Sequence, residues 1–280
     1  MTPLPELGSG QYLGFAGGLY PGGKNVRPTA YEATGAALGA TVQPLDSEGK
    51  PAASGKIVLI SIGISNASRE FSQFIRMADA DARKNPGLLM VDAARNGADA
   101  TLIADPCGDY WTHVQRQLQR AEVSAAQVQV IWLKTALARE PAAFPEKAQF
   151  LQRNLRSIVD LLGRKFPQLK LVYISSRIYG GYSETNLSPE PIAYESAFAV
   201  KWLIEERIHD ASPKGSIPWV SWGPYLWAEG LRPRDDGLIW ERGDFEPDGV
   251  HPSAQGAAKV AAKLFEFFAN DPSTRPWFFS

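Results

Sequence analysis

From residue 56 onward, short runs of apolar and β-branched residues alternate with longer amphipathic stretches, and few folds accommodate that pattern. Ile57-Val-Leu-Ile-Ser-Ile62 is apolar but for one serine and stops at Gly63, as a strand buried on both faces does. Leu88-Leu-Met-Val91, Val128-Gln-Val-Ile-Trp-Leu133 and Leu169-Lys-Leu-Val-Tyr-Ile174 repeat it, and Trp219–Trp222 predicts a further short strand. Between them, apolar residues recur at helical spacing. Phe71, Phe74, Ile75 and Ala78 predict a helix over about 67–84, and Trp111, Val114 and Leu118 one over about 109–122. Leu151, Leu155, Ile158, Leu161 and Leu162 predict one over 150–162, and further helices follow near 191–208 and 253–269. Continuous apolar strands separated by amphipathic helices imply a mostly parallel sheet covered on both faces. Right-handed crossovers then leave a doubly wound, three-layer α/β/α sandwich as the expected fold.

In such a sheet the site lies at the carboxyl ends of the strands. The loops that matter are therefore those after residues 62, 92, 134 and 175, and the loop before the last helix. Residues 1–54 stand apart from this pattern. They are rich in Gly, Pro and Ala, include Gly17-Gly-Leu-Tyr-Pro-Gly-Gly23, and show weak periodicity. They read as an irregular extension that wraps onto a main domain of residues 55–280, with disorder as the alternative and a short helix near 30–38.

Composition removes several function classes. The 29 basic and 30 acidic side chains nearly cancel and form no basic block, so no nucleic-acid groove is expected. No apolar run approaches the roughly 18 residues of a membrane span. The single cysteine, Cys107, precludes an intrachain disulfide and reads as a loop thiol. The N-terminus lacks the charged and apolar segments of a signal peptide, which leaves a cytoplasmic protein, or a secreted or periplasmic one whose leader has been removed. Neither a Gly-x-Ser-x-Gly elbow nor a phosphate-binding P-loop occurs. The glycines at 14–23 lack a preceding strand, so a dinucleotide cofactor has no support, and three scattered histidines do not suggest a zinc site. No cofactor is expected.

Two loops carry chemistry. Gly63-Ile64-Ser65-Asn66 joins the first strand to the first helix, where free backbone N–H groups and the positive helix end favour a developing oxyanion. Ser65 and Asn66 are also favoured helix-cap residues, which is the alternative reading. Asp248-Gly249-Val250-His251-Pro252 precedes the last helix. His113 and His209 fall within or at the end of predicted helices, which leaves His251 as the candidate base and Asp248, three residues earlier, as its orienter.

This pairing of Gly-x-Ser-Asn after the first strand with Asp-Gly-x-His-Pro before the last helix resembles the SGNH (GDSL-like) hydrolase superfamily, over roughly residues 56–270. The resemblance implies a flavodoxin-like sandwich and a serine esterase or deacylase with Ser65, Asp248 and His251 as its catalytic residues. It also implies an oxyanion hole built from the amides of Ser65 and of a glycine after the second strand, best matched by Gly97. The sequence departs from the family in two places. Ile64 stands where the family has aspartate, and Trp132-Leu-Lys-Thr-Ala-Leu137 lacks the family's oxyanion asparagine. Losing one such donor typically costs about 10²–10³ in turnover. Lys134, Thr135 or Asn66 are the candidate replacements.

Arg177, Tyr179 and Tyr182, after the fourth strand, are candidate substrate contacts, since arginine pairs with carboxylates and tyrosine stacks on sugars. Trp202, Trp219, Trp222, Trp227 and Trp240 either shape a cleft or fill the core edge. As a cleft they would favour a small-molecule or carbohydrate ester, such as a sugar O-acetyl group. The alternatives are a weakly active or non-catalytic carbohydrate-binding protein on the same fold, and a hydrolase of a different bond such as a phosphodiester. The oligomeric state is left open.

Overall fold

The computed structural model describes residues 1–138, 142–210 and 217–280. Five parallel strands form the central sheet: β3 (Ile57–Gly63), β4 (Leu88–Asp92), β5 (Val128–Lys134), β6 (Leu171–Ile174) and β7 (Trp219–Trp222). Their spatial order is β4-β3-β5-β6-β7, every pair parallel. This is the flavodoxin-like doubly wound order, whose switch point lies between β3 and β5.

Alternation along the strands divides the core in two. Val58, Ile60 and Ile62 point toward α5 (Asp109–Arg120), α6 (Glu146–Lys165) and α7 (Ile192–His209). Ile57 and Leu59 point the other way, toward α3 (Ser65–Asp79) and α8 (Ala254–Asn270). On that second face Phe71 and Phe74 of α3 are fully buried, and Phe71 stacks on Trp132 with centroids 5.7 Å apart. Each such ring contributes roughly 1.5–3 kcal/mol. The chain is thus a three-layer α/β/α sandwich.

The predicted elements are all present, with shifted ends. α3 stops at Asp79, earlier than its periodicity suggests, because Asp81 Oδ1 accepts the Arg83 amide at 2.9 Å and Pro86 follows. The helices α4 (Ala100–Ala104) and α9 (Arg275–Phe278), of five and four residues, are too short for a periodic signal.

The N-terminal segment is ordered. It holds α1 (Leu4–Leu7), a two-stranded hairpin of β1 (Gln11–Tyr12) and β2 (Phe15–Ala16), and α2 (Thr29–Gly39). It is tied to the sandwich by long-range bonds: the Leu4 amide donates to Tyr225 Oη at 3.2 Å, Tyr20 Oη lies 2.9 Å from Ser221 Oγ, and Arg27 pairs with Asp271 at 2.5 Å. Among the described residues no helix is long and apolar enough to cross a membrane.

Candidate active site

Gly63 ends β3 and Ser65 opens α3, so the chain reverses within two residues at the switch point. The turn closes tightly on β5. The Ile64 amide donates to the Lys134 carbonyl at 3.3 Å, and a Cβ at Gly63 would lie 2.1 Å from that carbonyl oxygen. Tyr110 fixes the turn from below: its Oη accepts the Gly63 amide at 3.0 Å and donates to the Ala93 carbonyl at 3.1 Å. The Arg95 amide, in the loop after β4, donates to the Gly63 carbonyl at 3.0 Å.

Neither Ser65 nor Asn66 caps α3. Ile64 occupies the cap position and supplies no side-chain hydrogen bond. Both polar side chains instead cross to the loop before α8, some 185 residues away in sequence. Ser65 Oγ lies 2.8 Å from His251 Nε2, and Asn66 Nδ2 donates to the Val250 carbonyl at 2.9 Å. His251 Nδ1 lies 2.6 Å from Asp248 Oδ2. The other Asp248 oxygen accepts the amides of Val250 and His251, each at 3.0 Å. Burial works to raise the Asp248 carboxyl, but these hydrogen bonds outweigh it and hold it at about 2.

The Asp–His loop is a compact turn. The Glu246 amide donates to the His251 carbonyl at 2.8 Å, the Gly249 amide to the Glu246 carbonyl at 2.9 Å, and Arg69 Nη1 to Glu246 Oε1 at 2.9 Å. Gly249 has φ +66, and a Cβ there would fall 1.7 Å from the Tyr182 carbonyl oxygen. Only glycine lets the loop after β6 lie against this turn. Ser65 is 8% exposed and the His251 side chain 23%, so solvent reaches the pair chiefly at the histidine.

Gly97 stands in an open turn after β4 with φ +74, no atom within 4 Å of its missing Cβ, and no acceptor for its amide among the described residues. The replacements for the missing asparagine fare less well as open donors. Lys134 is fully buried in an ion pair with Glu70 of α3, with Nζ 2.5 and 2.6 Å from the two carboxylate oxygens. Burial pushes Lys134 down to about 8 and raises Glu70 despite their mutual attraction. The Asn66 amide is committed to Val250. Thr135 Oγ1 is buried and unpartnered.

Arg177 is 4% exposed and Tyr179 half-buried, its ring edge-on to Tyr182 at 5.3 Å. The late tryptophans do not line a cleft. Trp219, Trp222, Trp227 and Trp240 are 0–7% exposed and Trp202 is half-buried against Phe144 and Phe198, so they fill the core and its edge. His113, near the Ala94 carbonyl at 3.3 Å, and His209, near the Glu205 carbonyl at 2.7 Å, each hydrogen-bond to the backbone, and Cys107 is exposed. Among the described residues no three His, Cys, Asp or Glu side chains are grouped to hold a metal ion.

Three supporting residues carry little sequence signal. Asp92 ends β4 and accepts from Ser61 at 2.6 Å, Ser68 at 2.5 Å and Ser72 at 3.1 Å, which ties β3, β4 and α3 together. Its only sequence trace is an aspartate closing an apolar strand. Tyr110 looks like one more apolar helix residue, and Glu70 is legible only as a charge within the buried stripe of α3.

No protein-family model and no curated protein matches the chain. Solved structures are similar to it in fold. They include a carbohydrate esterase of family 3 from Talaromyces cellulolyticus (12% identity over 74% of this chain and 94% of that one, TM-score 0.45). A catalytic mutant of an acetylxylan esterase from Geobacillus stearothermophilus is 13% identical over 80% of this chain and 96% of that one, with a TM-score of 0.46. A GDSL-like lipase from Bacteroides thetaiotaomicron is 12% identical over 84% of this chain and 95% of that one, with a TM-score of 0.42. The fold is a flavodoxin-ordered parallel sheet with a serine turn after its first strand in sequence and an Asp–His turn before the long helix that closes its second face.

Proposed function

We propose that this protein is a serine esterase or deacylase of the SGNH type. The observation that carries the reading is the unbroken chain from Ser65 Oγ through the His251 ring to Asp248, at 2.8 and 2.6 Å, at the switch point of a doubly wound sheet. In this reading Ser65 attacks an ester carbonyl while His251 Nε2 takes its proton. Asp248 holds Nδ1–H and so fixes the tautomer that leaves Nε2 free to accept. The tetrahedral oxyanion forms beside the first amides of α3, which have no partner within the helix, and beside the Gly97 amide. His251 returns the proton to the leaving alcohol, then activates water to release the acyl group from Ser65.

A sugar O-acetyl group remains one member of the substrate class, without support from the buried tryptophans. A weakly active or non-catalytic binding protein is the second reading, favoured by one observation: Lys134, which ends β5 near where the family has its donor asparagine, is locked to Glu70. Hydrolysis of 4-nitrophenyl acetate and butyrate by the wild type and by Ser65→Ala, with fluorophosphonate labelling alongside, tests the proposal. Turnover and labelling that both disappear in a folded Ser65→Ala protein support it. A folded wild type that is inert and unlabelled refutes it in favour of the second reading.

A further inference from the structure

Arg177 follows β6 at the same end of the sheet as Ser65, and its guanidinium has no partner. The residue is 4% exposed and its Nε is buried without an acceptor. Its one hydrogen bond among the described residues is made by its backbone amide, to Ser196 Oγ at 3.4 Å. A buried donor of a cation without an acceptor is costly to keep, so Nε calls for an acceptor from outside the chain.

The carboxylates within electrostatic reach of Arg177 are Glu70, Glu190 and Asp248, and each is already engaged. Glu70 is held by Lys134. Asp248 takes the His251 ring. Glu190 accepts from the Gly180 amide at 2.8 Å, the Tyr194 amide at 3.1 Å and Trp227 Nε1 at 2.7 Å. Burial accordingly pushes the Arg177 guanidinium down despite these neighbours.

The guanidinium is also in company. Asn66 Oδ1, Thr135 Oγ1 and Ser176 Oγ are buried without partners, and with Arg177 Nε they make four of the six such atoms among the described residues. They follow β3, β5 and β6, so unsatisfied polar groups gather at the carboxyl ends of the strands that frame Ser65. The loop carrying Arg177 also touches the Asp–His turn, where the Glu184 amide donates to the Asp248 carbonyl at 3.1 Å.

We infer that Arg177 is a specificity residue that receives a carboxylate of the substrate, so that the ester cleaved beside Ser65 carries a negative charge on its acyl or its alcohol part. This rests on the esterase reading above. The planar guanidinium fork matches the two oxygens of a carboxylate, and the Ser176 and Thr135 hydroxyls at the same end of the sheet have no partner of their own. Glu70 is paired with Lys134, and Glu190 and Asp248 are held by other donors, so none of the three occupies the Arg177 fork.

Binding to folded Ser65→Ala protein tests this without turnover. Isothermal titration uses 4-acetamidobenzoate, with the anion on the alcohol side, and N-phenylsuccinamate, with the anion on the acyl side, each against its neutral primary amide. One of the two carboxylates should bind about 10–100-fold more tightly than its amide, the range expected of a charge-assisted hydrogen-bonded pair. Arg177→Gln in the same background should bring that ratio to about one. Equal binding within both pairs, or a preference that survives Arg177→Gln, overturns the inference. Should Arg177→Gln fail to fold, Arg177→Lys keeps the charge and loses the fork. A reduced ratio then supports the inference and an unchanged one overturns it. A carboxylate preference in a protein whose wild type hydrolyses no ester would refute the esterase reading while leaving the anion site standing.

Discussion

Replacing Gly63 by alanine adds one methyl group at the point where β3 turns into α3. That methyl would stand 2.1 Å from the Lys134 carbonyl oxygen and 2.9 Å from Ala67 Cβ, whereas an ordinary carbon–oxygen contact needs about an ångström more. The Lys134 carbonyl belongs to the buried β5 ladder and cannot swing away, so the Gly63–Ile64 backbone must move. Its displacement puts two bonds at risk: Ile64 N–H to Lys134 and Arg95 N–H to Gly63, at 3.3 and 3.0 Å. Overpacking costs about 1–3 kcal/mol, and each of the two bonds about 0.5–1.5 kcal/mol, which gives about 2–6 kcal/mol together. Unfolding entropy of about 2.1 cal/mol/K per residue over 280 residues is about 0.6 kcal/mol/K, so Tm should fall by about 3–10 °C. Ser65 rides on the displaced segment, and a shift of about an ångström costs on the order of 10²-fold in rate. Scanning calorimetry and 4-nitrophenyl acetate kinetics read both effects. Gly97→Ala is the control, since it meets open space and pays only the roughly 1–2 kcal/mol of a left-handed residue. A Gly63→Ala protein that melts within 1 °C of wild type and turns over normally, by about the precision of such scans, would refute this account of the turn.

Two further outcomes follow from the geometry. Asp248→Asn should lower kcat by about 10⁴-fold, because the amide no longer fixes the His251 tautomer. The Asp248 carboxyl sits at about 2 in the folded protein, below its ordinary 3.8, so it adds stability above pH 4 that is lost as pH falls toward 2. The melting difference between wild type and Asp248→Asn should therefore close over that interval, and a constant difference in a pH series of melts would contradict it. Lys134→Met strands a fully buried Glu70 and should cost about 3–5 kcal/mol in urea denaturation, while adding Glu70→Leu should restore most of the loss. A double variant as unstable as the single one would show that the pair contributes more than mutual neutralisation.

The sandwich was legible because strands buried on both faces must be apolar throughout, and the helices between them must be apolar on one side only. Phe71, Phe74 and Leu155 announce their burial by spacing alone. The candidate site was partly legible for a different reason. A Gly-x-Ser-Asn turn and a Gly–Pro-bounded histidine are local signals, written within a few residues each, and few histidines compete. Residues 1–54 gave little warning of their order, because a Gly- and Pro-rich segment is held by partners such as Tyr225, Ser221 and Asp271 that lie some 200 residues away.

What the sequence determined by itself was periodicity: which segments are strands, which helices, and at which end of the sheet the chemistry lies. What tertiary structure alone decided was partnership. Ser65 reads equally as a helix cap until α8 and its preceding loop bring His251 within 2.8 Å. Lys134 reads as a candidate oxyanion donor until Glu70 of α3 closes on it, and Arg177 as one candidate substrate contact among several until burial leaves its Nε without an acceptor. Hydrogen bonds and ion pairs act over a few ångströms between residues whose separation along the chain is unrelated to their separation in space, and only the packed sheet converts one into the other.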